Sequence, residues 1–401
     1  MLNSKCLLVT AILTFFFTLP SQSFSAESHH EWANLGDNLN PYPSDFIGKF
    51  SLSADPRKNP VLAFSHTDRE TYASETLVMR WRNKHWEMIG EPLAGLKNPS
   101  IGQDAEKNLY LCAAGRGGIV SESDDIKGGP YVFRWDGQQW QPIGGSIAKE
   151  SGNWSRRRFN VNACDGIVLD SSGAPIVTWS SHVGSKAHFA FAARWDDDLN
   201  QWVSLGESLT SFAGRATRAY IDIDLKDRVY IATHRPGGSY GGNNTTEVWR
   251  WNGEKWRQLG GNMPNTRTPV IAVYDNKVYL ALTDVETGQI KVMRWKGKRW
   301  KELASPGYGE NPVLDFTLRG KVVTAYIDKE NPETPFVRVK LLRKKRWRPV
   351  GNVVSELPTN IYSELDIAID AKGRPTVAWS ESDFSEETTG LFAKRYHKIK
   401  K

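Results

Sequence analysis

The chain has 401 residues and a formal net charge of +7, from 52 lysines and arginines against 45 aspartates and glutamates. This excess of positive charge permits attraction to anionic partners. The three cysteines are too few for a disulfide-based scaffold.

The first 25 residues have the order of a secretory signal peptide. A positive segment ending at Lys5 precedes an apolar stretch, Cys6 to Pro20, and a run of small residues. About fifteen apolar residues are too few to cross a bilayer core of about 30 Å, and no later segment is longer. We expect cleavage near Ala26 and a secreted or periplasmic product. It would have no membrane span and no nucleic acid as a partner.

One phrase returns six times in the remaining chain. It consists of a β-prone run, a short polar turn and a second run of the form Trp-x-x-Leu, Ile or Val, usually ending in Gly. This pattern predicts a β-hairpin. Another pair of short strands precedes each hairpin, so each unit of about fifty residues has four strands. The second tryptophans of the six copies are Trp86, Trp140, Trp202, Trp256, Trp300 and Trp347.

Four-stranded units without helical periodicity are typical of β-propeller blades, because each sheet buries its faces only against neighbouring sheets. The predicted fold is all-β: a seven-bladed propeller of four-stranded antiparallel blades, forming one domain over residues 26–401. We expect the repeated tryptophans to pack between blades rather than to bind a ligand. The predicted blades are about 41–93, 94–147, 148–209, 210–263, 264–307, 308–354 and 355–401.

The seventh unit lacks its fourth strand. Its third strand carries Arg395-Tyr396 in the place of Arg-Trp, and the missing phrase occurs in residues 26–40, where Trp32 and Leu35 fit Trp-x-x-Leu-Gly. We therefore expect the N-terminal strand to complete the last blade, since an unclosed ring would expose a strand edge. An open solenoid of the same blades is the alternative.

The blade sequence resembles that of kelch-like propellers, which carry an aromatic residue several positions before a Trp, as Trp251 and Trp256 do. It also resembles the secreted propeller lectins that bind sugars. Both resemblances rest on structural residues, so they imply the fold rather than a particular ligand.

Long loops mark a candidate binding rim. Loops between blades share one rim with the loops between second and third strands, and the longest belong to blades two to four. Their arginines suit carboxylate, sulfate or phosphate groups, and their aromatic residues suit a sugar ring. Solvation, or local pairing with acids of the same loops, is the alternative. The predicted ligand-binding residues are Arg116, Trp154, Arg158, Arg215, Arg218, His234, Arg235, Tyr240 and Arg267.

Three histidines and a glutamate form a second set of candidate site residues. His66, His234 and Glu381 end second strands at equivalent positions, with His182 one residue further along its strand. Propeller symmetry spreads such positions around the ring, whereas imidazole ligands must approach one metal ion to about 2.1 Å. We expect no metal and no cofactor.

The predicted function is a monomeric binding scaffold for an acidic glycan or an envelope protein. The first alternative is a polysaccharide lyase or glycoside hydrolase acting on an acidic polysaccharide. It would use His182 or His234 as base, Tyr240 as acid and Arg235 against a uronate carboxylate, residue types that resemble those of propeller-fold lyases. The second alternative is a protein–protein interaction platform.

Two features stay open at this point. Cys112 and Cys164 remain after signal removal, and an oxidising compartment could pair them. The opposite rim carries basic turns in blades five and six, which suit either an anionic surface or simple solvation. Their residues are Lys296, Lys298, Arg299, Arg343, Lys344, Lys345 and Arg346.

Overall fold

The computed structural model confirms a seven-bladed propeller, with seven antiparallel sheets of four principal strands each. Within a blade, the first strand along the chain is called the inner strand and the fourth the outer strand. The structure describes residues 30–54, 59–104, 106–115, 129–152, 159–183, 187–209, 218–237, 243–333, 335–356, 364–383 and 388–398.

The strands of the first four blades run from inner to outer edge. Blade 1 has Phe46–Ala54, Pro60–Thr67, Ser74–Arg82 and His85–Met88; blade 2 has Leu96–Gln103, Leu109–Gly115, Gly129–Trp135 and Trp140–Ile143. Blade 3 has Phe159–Leu169, Pro175–Val183, Ala187–Asp196 and Gln201–Ser204; blade 4 has Arg218–Ile223, Val229–Arg235, Thr245–Trp251 and Trp256–Gln258.

The remaining blades continue this order. Blade 5 has Thr266–Tyr274, Lys277–Asp284, Ile290–Trp295 and Trp300–Glu302; blade 6 has Gly309–Phe316, Val322–Asp328, Phe336–Arg343 and Arg346–Pro349; blade 7 has Leu365–Ile369, Pro375–Asp383, Thr388–Lys398 and the N-terminal His30–Asn34. Two-residue strands, Leu93–Ala94, Met263–Pro264 and Ser355–Glu356, extend three blades, and Ile147–Glu150 forms one helical turn.

The inner strands surround a central channel. Each inner strand contacts the inner strands of both neighbouring blades, and the contact between blades 7 and 1 closes the ring. Buried apolar clusters fill the spaces between adjacent sheets. The polar edges of the inner strands therefore face the axis, while the apolar faces of the sheets pack against each other.

The repeated tryptophans join neighbouring blades, as predicted. Trp140 Nε1 donates to the carbonyl of Ile89 at 2.8 Å, and Trp202 Nε1 to that of Ile143 at 3.0 Å, in each case from one blade to the preceding one. The glycine of the phrase leaves space for the indole. At Gly90 φ is 75°, and an added Cβ would lie 2.7 Å from a neighbouring Trp ring. The same inter-blade bond comes from Trp32, Trp86, Trp256, Trp300 and Trp347.

The N-terminal strand completes blade 7, as predicted. It pairs antiparallel with the third strand of that blade, where Trp32 lies opposite Tyr396. Trp32 Nε1 donates to the carbonyl of Val350 in blade 6 at 2.9 Å, and the carbonyl of Leu35 accepts Trp86 Nε1 of blade 1 at 2.6 Å. The strand thus joins the first and last blades by the same bond that links all the others.

Candidate functional site

Bulges interrupt the inner strands at the mouth of the channel. In five blades the register between the inner and second strands shifts near the start of the inner strand, which marks a β-bulge. Three bulges have an Asn-Pro or Thr-Pro pair, and their first residues, Asn98, Thr268 and Asn311, have φ of 52°, 49° and 50°. Proline suits a position outside the ladder because it has no N–H to donate.

Two bulges carry charged residues instead. Lys49 of blade 1 takes the bulge position that proline occupies elsewhere, and Asp165 of blade 3 lies at a register shift between Cys164 and Gly166. Bulges redirect side chains, and both residues line a cavity of about 200 Å³ at the axis. Lys49 Nζ donates to the carbonyls of Cys164 at 2.9 Å and Asp165 at 2.6 Å. The two charged bulges thus meet in the axial cavity.

A disulfide bond next to Asp165 links its bulge to blade 2. Cys112 of blade 2 and Cys164 of blade 3 are bonded, with their Cα atoms 5.9 Å apart, so the structure contains the pairing that the sequence left open. Both residues are fully buried. Because Cys164 directly precedes Asp165, the covalent link to blade 2 fixes the backbone whose carbonyls bind Lys49.

The cavity contains carboxyl groups that titrate near neutral pH. Burial raises the pKa of Asp165 to about 6, and the charge of Lys49 opposes the rise. Ser180 and the amide of Ala219 also lower this pKa, but neither carboxylate oxygen has a hydrogen bond of normal geometry. Burial likewise raises the pKa of Asp366 in the same cavity to about 6. Burial lowers the pKa of Lys49, although Asp165 favours its charged form.

Three predicted ligand-binding residues come together beside this cavity. Arg218 lies opposite His234 in the strand register and forms an ion pair with Glu364 of blade 7. Arg267 of blade 5 forms an ion pair with Glu310 of blade 6 at 3.1 Å. Burial lowers the pKa of His234, and the nearby charges of Arg218 and Arg267 lower it further. The result is a neutral imidazole beside two guanidinium groups, which we call the Arg218–His234–Arg267 cluster.

Hydrogen bonds orient the cluster. His234 Nε2 lies 3.2 Å from Asn244 Oδ1, so the ring donates from Nε2 and has its acceptor lone pair on Nδ1. Arg218 Nη1 donates to Tyr220 Oη at 3.1 Å. Tyr220 lines the axial cavity, and burial raises its pKa. Arg218 therefore belongs to both the cluster and the cavity.

The other predicted site residues are not in this cluster. Arg235 follows His234 in the same strand and so points to the opposite face of the sheet; its Nη2 lies 3.4 Å from Thr245 Oγ1, and its charge opposes the rise that burial causes in the pKa of Glu247. His182 lies opposite Asn160 in its strand, but its side chain is outside the described part of the structure. Also outside the described residues are Arg116, Trp154, Arg158, Arg215 and Tyr240.

The other residues at the equivalent second-strand positions have local partners. His66 places Nδ1 2.9 Å from Asp45 and Nε2 2.6 Å from Glu75, and the Tyr42 ring lies 5.1 Å from its own. Two carboxylate partners tie the segment after the N-terminal strand to blade 1, which is a structural role. Glu381 accepts Trp379 Nε1 at 2.7 Å.

Sequence reasoning missed the acids that line the channel. Asp222 accepts the amide of Val273, and Asp315 that of Ile369, each at 2.6 Å from the inner strand of a neighbouring blade. Asp366 accepts the amide of Leu52 at 2.8 Å. These carboxylates satisfy inner-edge N–H groups that have no strand to pair with. The sequence pattern that could have identified them is an acidic residue inside a β-prone run, as in RAYIDI, PVLDF and LDIAI.

The described residues contain no group of three or more His, Cys, Asp or Glu side chains with a geometry suited to a metal ion. Within the same ranges, no helix is long and apolar enough to cross a membrane.

No protein-family model and no curated protein matches the sequence. Solved structures do share its fold. A protein of unknown function from Dyadobacter fermentans aligns over 91% of this chain and 99% of its own, at 11% identity and a TM-score of 0.54. An ulvan lyase, described as a new family of polysaccharide lyase, aligns over 90% of this chain and 95% of its own, at 10% identity and a TM-score of 0.55. At these identities the likeness concerns the fold alone.

Proposed function

We propose that the protein binds an acidic glycan, or another ligand with carboxylate or sulfate groups, at the channel mouth on the long-loop rim. The observation that carries the proposal is geometric: Arg218 lies opposite His234 in paired strands, and the inner strand that carries Arg267 contacts both of those strands. Arg267 pairs with Glu310 through Nη2, and its buried Nε has no hydrogen-bond partner, so this guanidinium keeps donors for an anionic group. The adjacent cavity offers Asp165 and Asp366 as acceptors for sugar hydroxyls.

The surrounding charges favour an anion at the cluster. Lys329 shares Glu310 with Arg267, so two cations face that single carboxylate. His234 adds no positive charge near pH 7, because burial and both arginines lower its pKa. The ligand would therefore meet two guanidinium groups that stay charged throughout this pH range.

Polysaccharide lyase is the second candidate, and the state of His234 favours it. A lyase needs a neutral base near the carbon acid and a cation to neutralise the uronate carboxylate. His234 with its lone pair on Nδ1, next to Arg218, has those two properties. A base with a lowered pKa can accept a proton at neutral pH without first losing one.

Export and a monomeric state complete the proposal. The Cys112–Cys164 disulfide is in accord with an oxidising compartment, where such bonds persist. The resemblance of the blade sequence to kelch-like propellers and to propeller lectins remains a prediction from the sequence.

The test replaces ion pairs without changing net charge. An ulvan lyase of similar fold was solved bound to -[GlcA(1-4)Rha3S]-, so oligosaccharides of this repeat are suitable probes for calorimetry. We expect Arg218→Gln with Glu364→Gln, and Arg267→Gln with Glu310→Gln, each to weaken binding at least tenfold, since each removes a charge-assisted contact. The control is Lys277→Gln with Asp275→Asn, an exposed pair on the opposite rim. Equal affinities in all three variants would contradict the proposal.

The same samples separate binding from catalysis. A rise in unsaturated-uronate absorbance that His234→Ala abolishes would establish the lyase. Binding without that rise would leave a binding protein.

A further inference from the structure

A second charged surface lies on the rim opposite the Arg218–His234–Arg267 cluster. It is formed by the third-to-fourth hairpins of blades 5 and 6 and by the first-to-second turn of blade 6. All of its basic side chains are exposed, and among the described residues none of them forms an ion pair. We call it the basic face. Its residues are Lys296, Lys298, Arg299, Arg319, Lys321, Arg343, Lys344, Lys345 and Arg346.

The positive charge is concentrated on the basic face and does not simply reflect the positive net charge of the whole protein. Residues 290–301, 316–322 and 336–349 contain no Asp or Glu. On the same rim, the hairpin of blade 3 carries Asp196, Asp197 and Asp198, and that of blade 2 carries Asp136. One sector of the rim is thus basic and another is acidic, so an anionic partner would meet a defined side of the ring.

Backbone geometry adds a second observation. Lys344 and Lys345, between strands paired at Arg343 and Arg346, have φ of 47° and 64°. Two-residue hairpin turns with two positive φ values favour Asn-Gly, because side chains with a Cβ are strained there. The equivalent turn of blade 1 has Asn83 and Lys84, with φ of 51° and 67°, whereas blade 6 has lysine at both positions. A strained residue that the fold does not need is a reason to look for a function.

An exposed apolar residue adds a third observation. Leu318 is 62% exposed in the turn between Arg319 and the inner strand of blade 6. The turn is rigid: the carbonyl of Leu318 accepts Tyr274 Oη at 2.8 Å, and the amide of Gly320 donates to the carbonyl of Thr317 at 2.7 Å. The fold therefore holds a leucine outward, among basic side chains.

We propose that the basic face docks on a bilayer surface rich in anionic phospholipid headgroups. Two adjacent hairpins and a turn nearer the axis spread the cations in two dimensions, which matches a planar anionic surface better than a single linear polyanion. Leu318 projects from the same rim and can enter the headgroup boundary, as apolar residues beside basic ones do in peripheral membrane proteins. The opposite rim, with the channel mouth, would then face away from the membrane.

The first experiment is co-sedimentation of the full mature chain with vesicles of equal parts phosphatidylcholine and phosphatidylglycerol. The variant Lys344→Asn, Lys345→Gly, Arg346→Gln removes three charges and gives the turn its preferred residues, so the hairpin should fold at least as well. At about fivefold in affinity for each basic residue near an anionic surface, we expect a loss on the order of 100-fold. The matched control, Arg82→Gln, Lys84→Gln, Lys107→Gln, removes three charges from the same rim in blades 1 and 2 and should retain most of the binding.

A second pair of variants tests the bilayer directly. Leu318→Ser should weaken vesicle binding severalfold, whereas Leu225→Ser, at a blade 4 turn on the same rim with 76% exposure, should have little effect. Soluble dextran sulfate is the competing probe. Binding to dextran sulfate without binding to the vesicles, or equal losses in the two triple variants, would overturn the proposal. Vesicle binding by Arg218→Gln with Glu364→Gln should equal that of the unmodified chain, so this proposal and the glycan proposal can fail separately.

Discussion

The outer and inner strands of the propeller follow different rules. Each outer strand repeats one bond, from an indole Nε1 to a carbonyl of the preceding blade, and Trp32 makes it as the other blades do. The inner strands vary: their bulges carry Asn-Pro or Thr-Pro in three blades but Lys49 and Asp165 in two others. Repetition therefore marks what holds the ring together, and departures from repetition mark where the axial cavity acquires charge.

The largest expected effect comes from breaking the outer repeat at its closure. Deleting residues 27–40 removes Leu35, whose burial is worth roughly 1.5–3 kcal/mol, and the partly buried Trp32, together with the strand pairing to Thr388–Lys398. The deletion also exposes the edge of blade 7. We expect loss of the cooperative thermal transition, measured by circular dichroism. Deleting only residues 27–29 is the control, and an unchanged melting temperature in the longer deletion would contradict closure by this strand.

The same contrast explains how far sequence reasoning reached. The outer phrase is periodic, so six copies predicted the blade, the inter-blade role of the tryptophans and the use of Trp32 in blade 7. The axial cavity depends on contacts between residues far apart in the chain: Lys49 reaches Asp165, and Arg218 reaches Glu364. No local pattern encodes such pairs. Of the predicted ligand-binding residues, Arg218 and Arg267 were chosen by loop length and composition and His234 by its place at the end of a second strand, and only the fold brought the three together.

The next effect comes from the channel acids and concerns stability as a function of pH. Burial raises the pKa of Asp222 and of Asp315 to about 7. Both groups bind protons more tightly in the folded than in the unfolded chain, so protonation stabilises the folded state. This stabilisation is complete below the ordinary carboxyl pKa, near 4, and is lost as pH rises through about 7. Each can change the free energy of unfolding by at most about 1.4 kcal/mol per pH unit. Urea denaturation between pH 4 and 8 should show a decline that Asp222→Asn and Asp315→Asn each flatten.

Asp224, two residues after Asp222, provides a control of opposite sign. Burial alone would raise its pKa, but hydrogen bonds from Arg228 outweigh this and hold the pKa below its usual value. Its contribution is present above that usual value and is lost as pH falls. Asp224→Asn should therefore cost stability at pH 7 and progressively less toward pH 3. If both variants changed the pH dependence in the same direction, the distinction between the two carboxylates would be wrong.

The smallest expected effect concerns Lys49. Lys49→Met keeps a side chain of similar length but removes the charge that lowers the pKa of Asp165. The pKa of Asp165 should then rise above about 6, at a cost of about 1.4 kcal/mol for each unit of the rise when the carboxylate is ionised. At pH 5 Asp165 is already largely protonated, so the variant should lose little stability there beyond its two carbonyl contacts. At pH 8 the loss of stability should be larger.

Adding Asp165→Asn should remove this pH-dependent part, because no ionised carboxylate then remains in the bulge. Carboxyl NMR titration and urea denaturation at the two pH values measure both quantities. A loss of equal size at pH 5 and pH 8 would mean that Lys49 acts through its hydrogen bonds alone and that the two charged bulges are not electrostatically coupled.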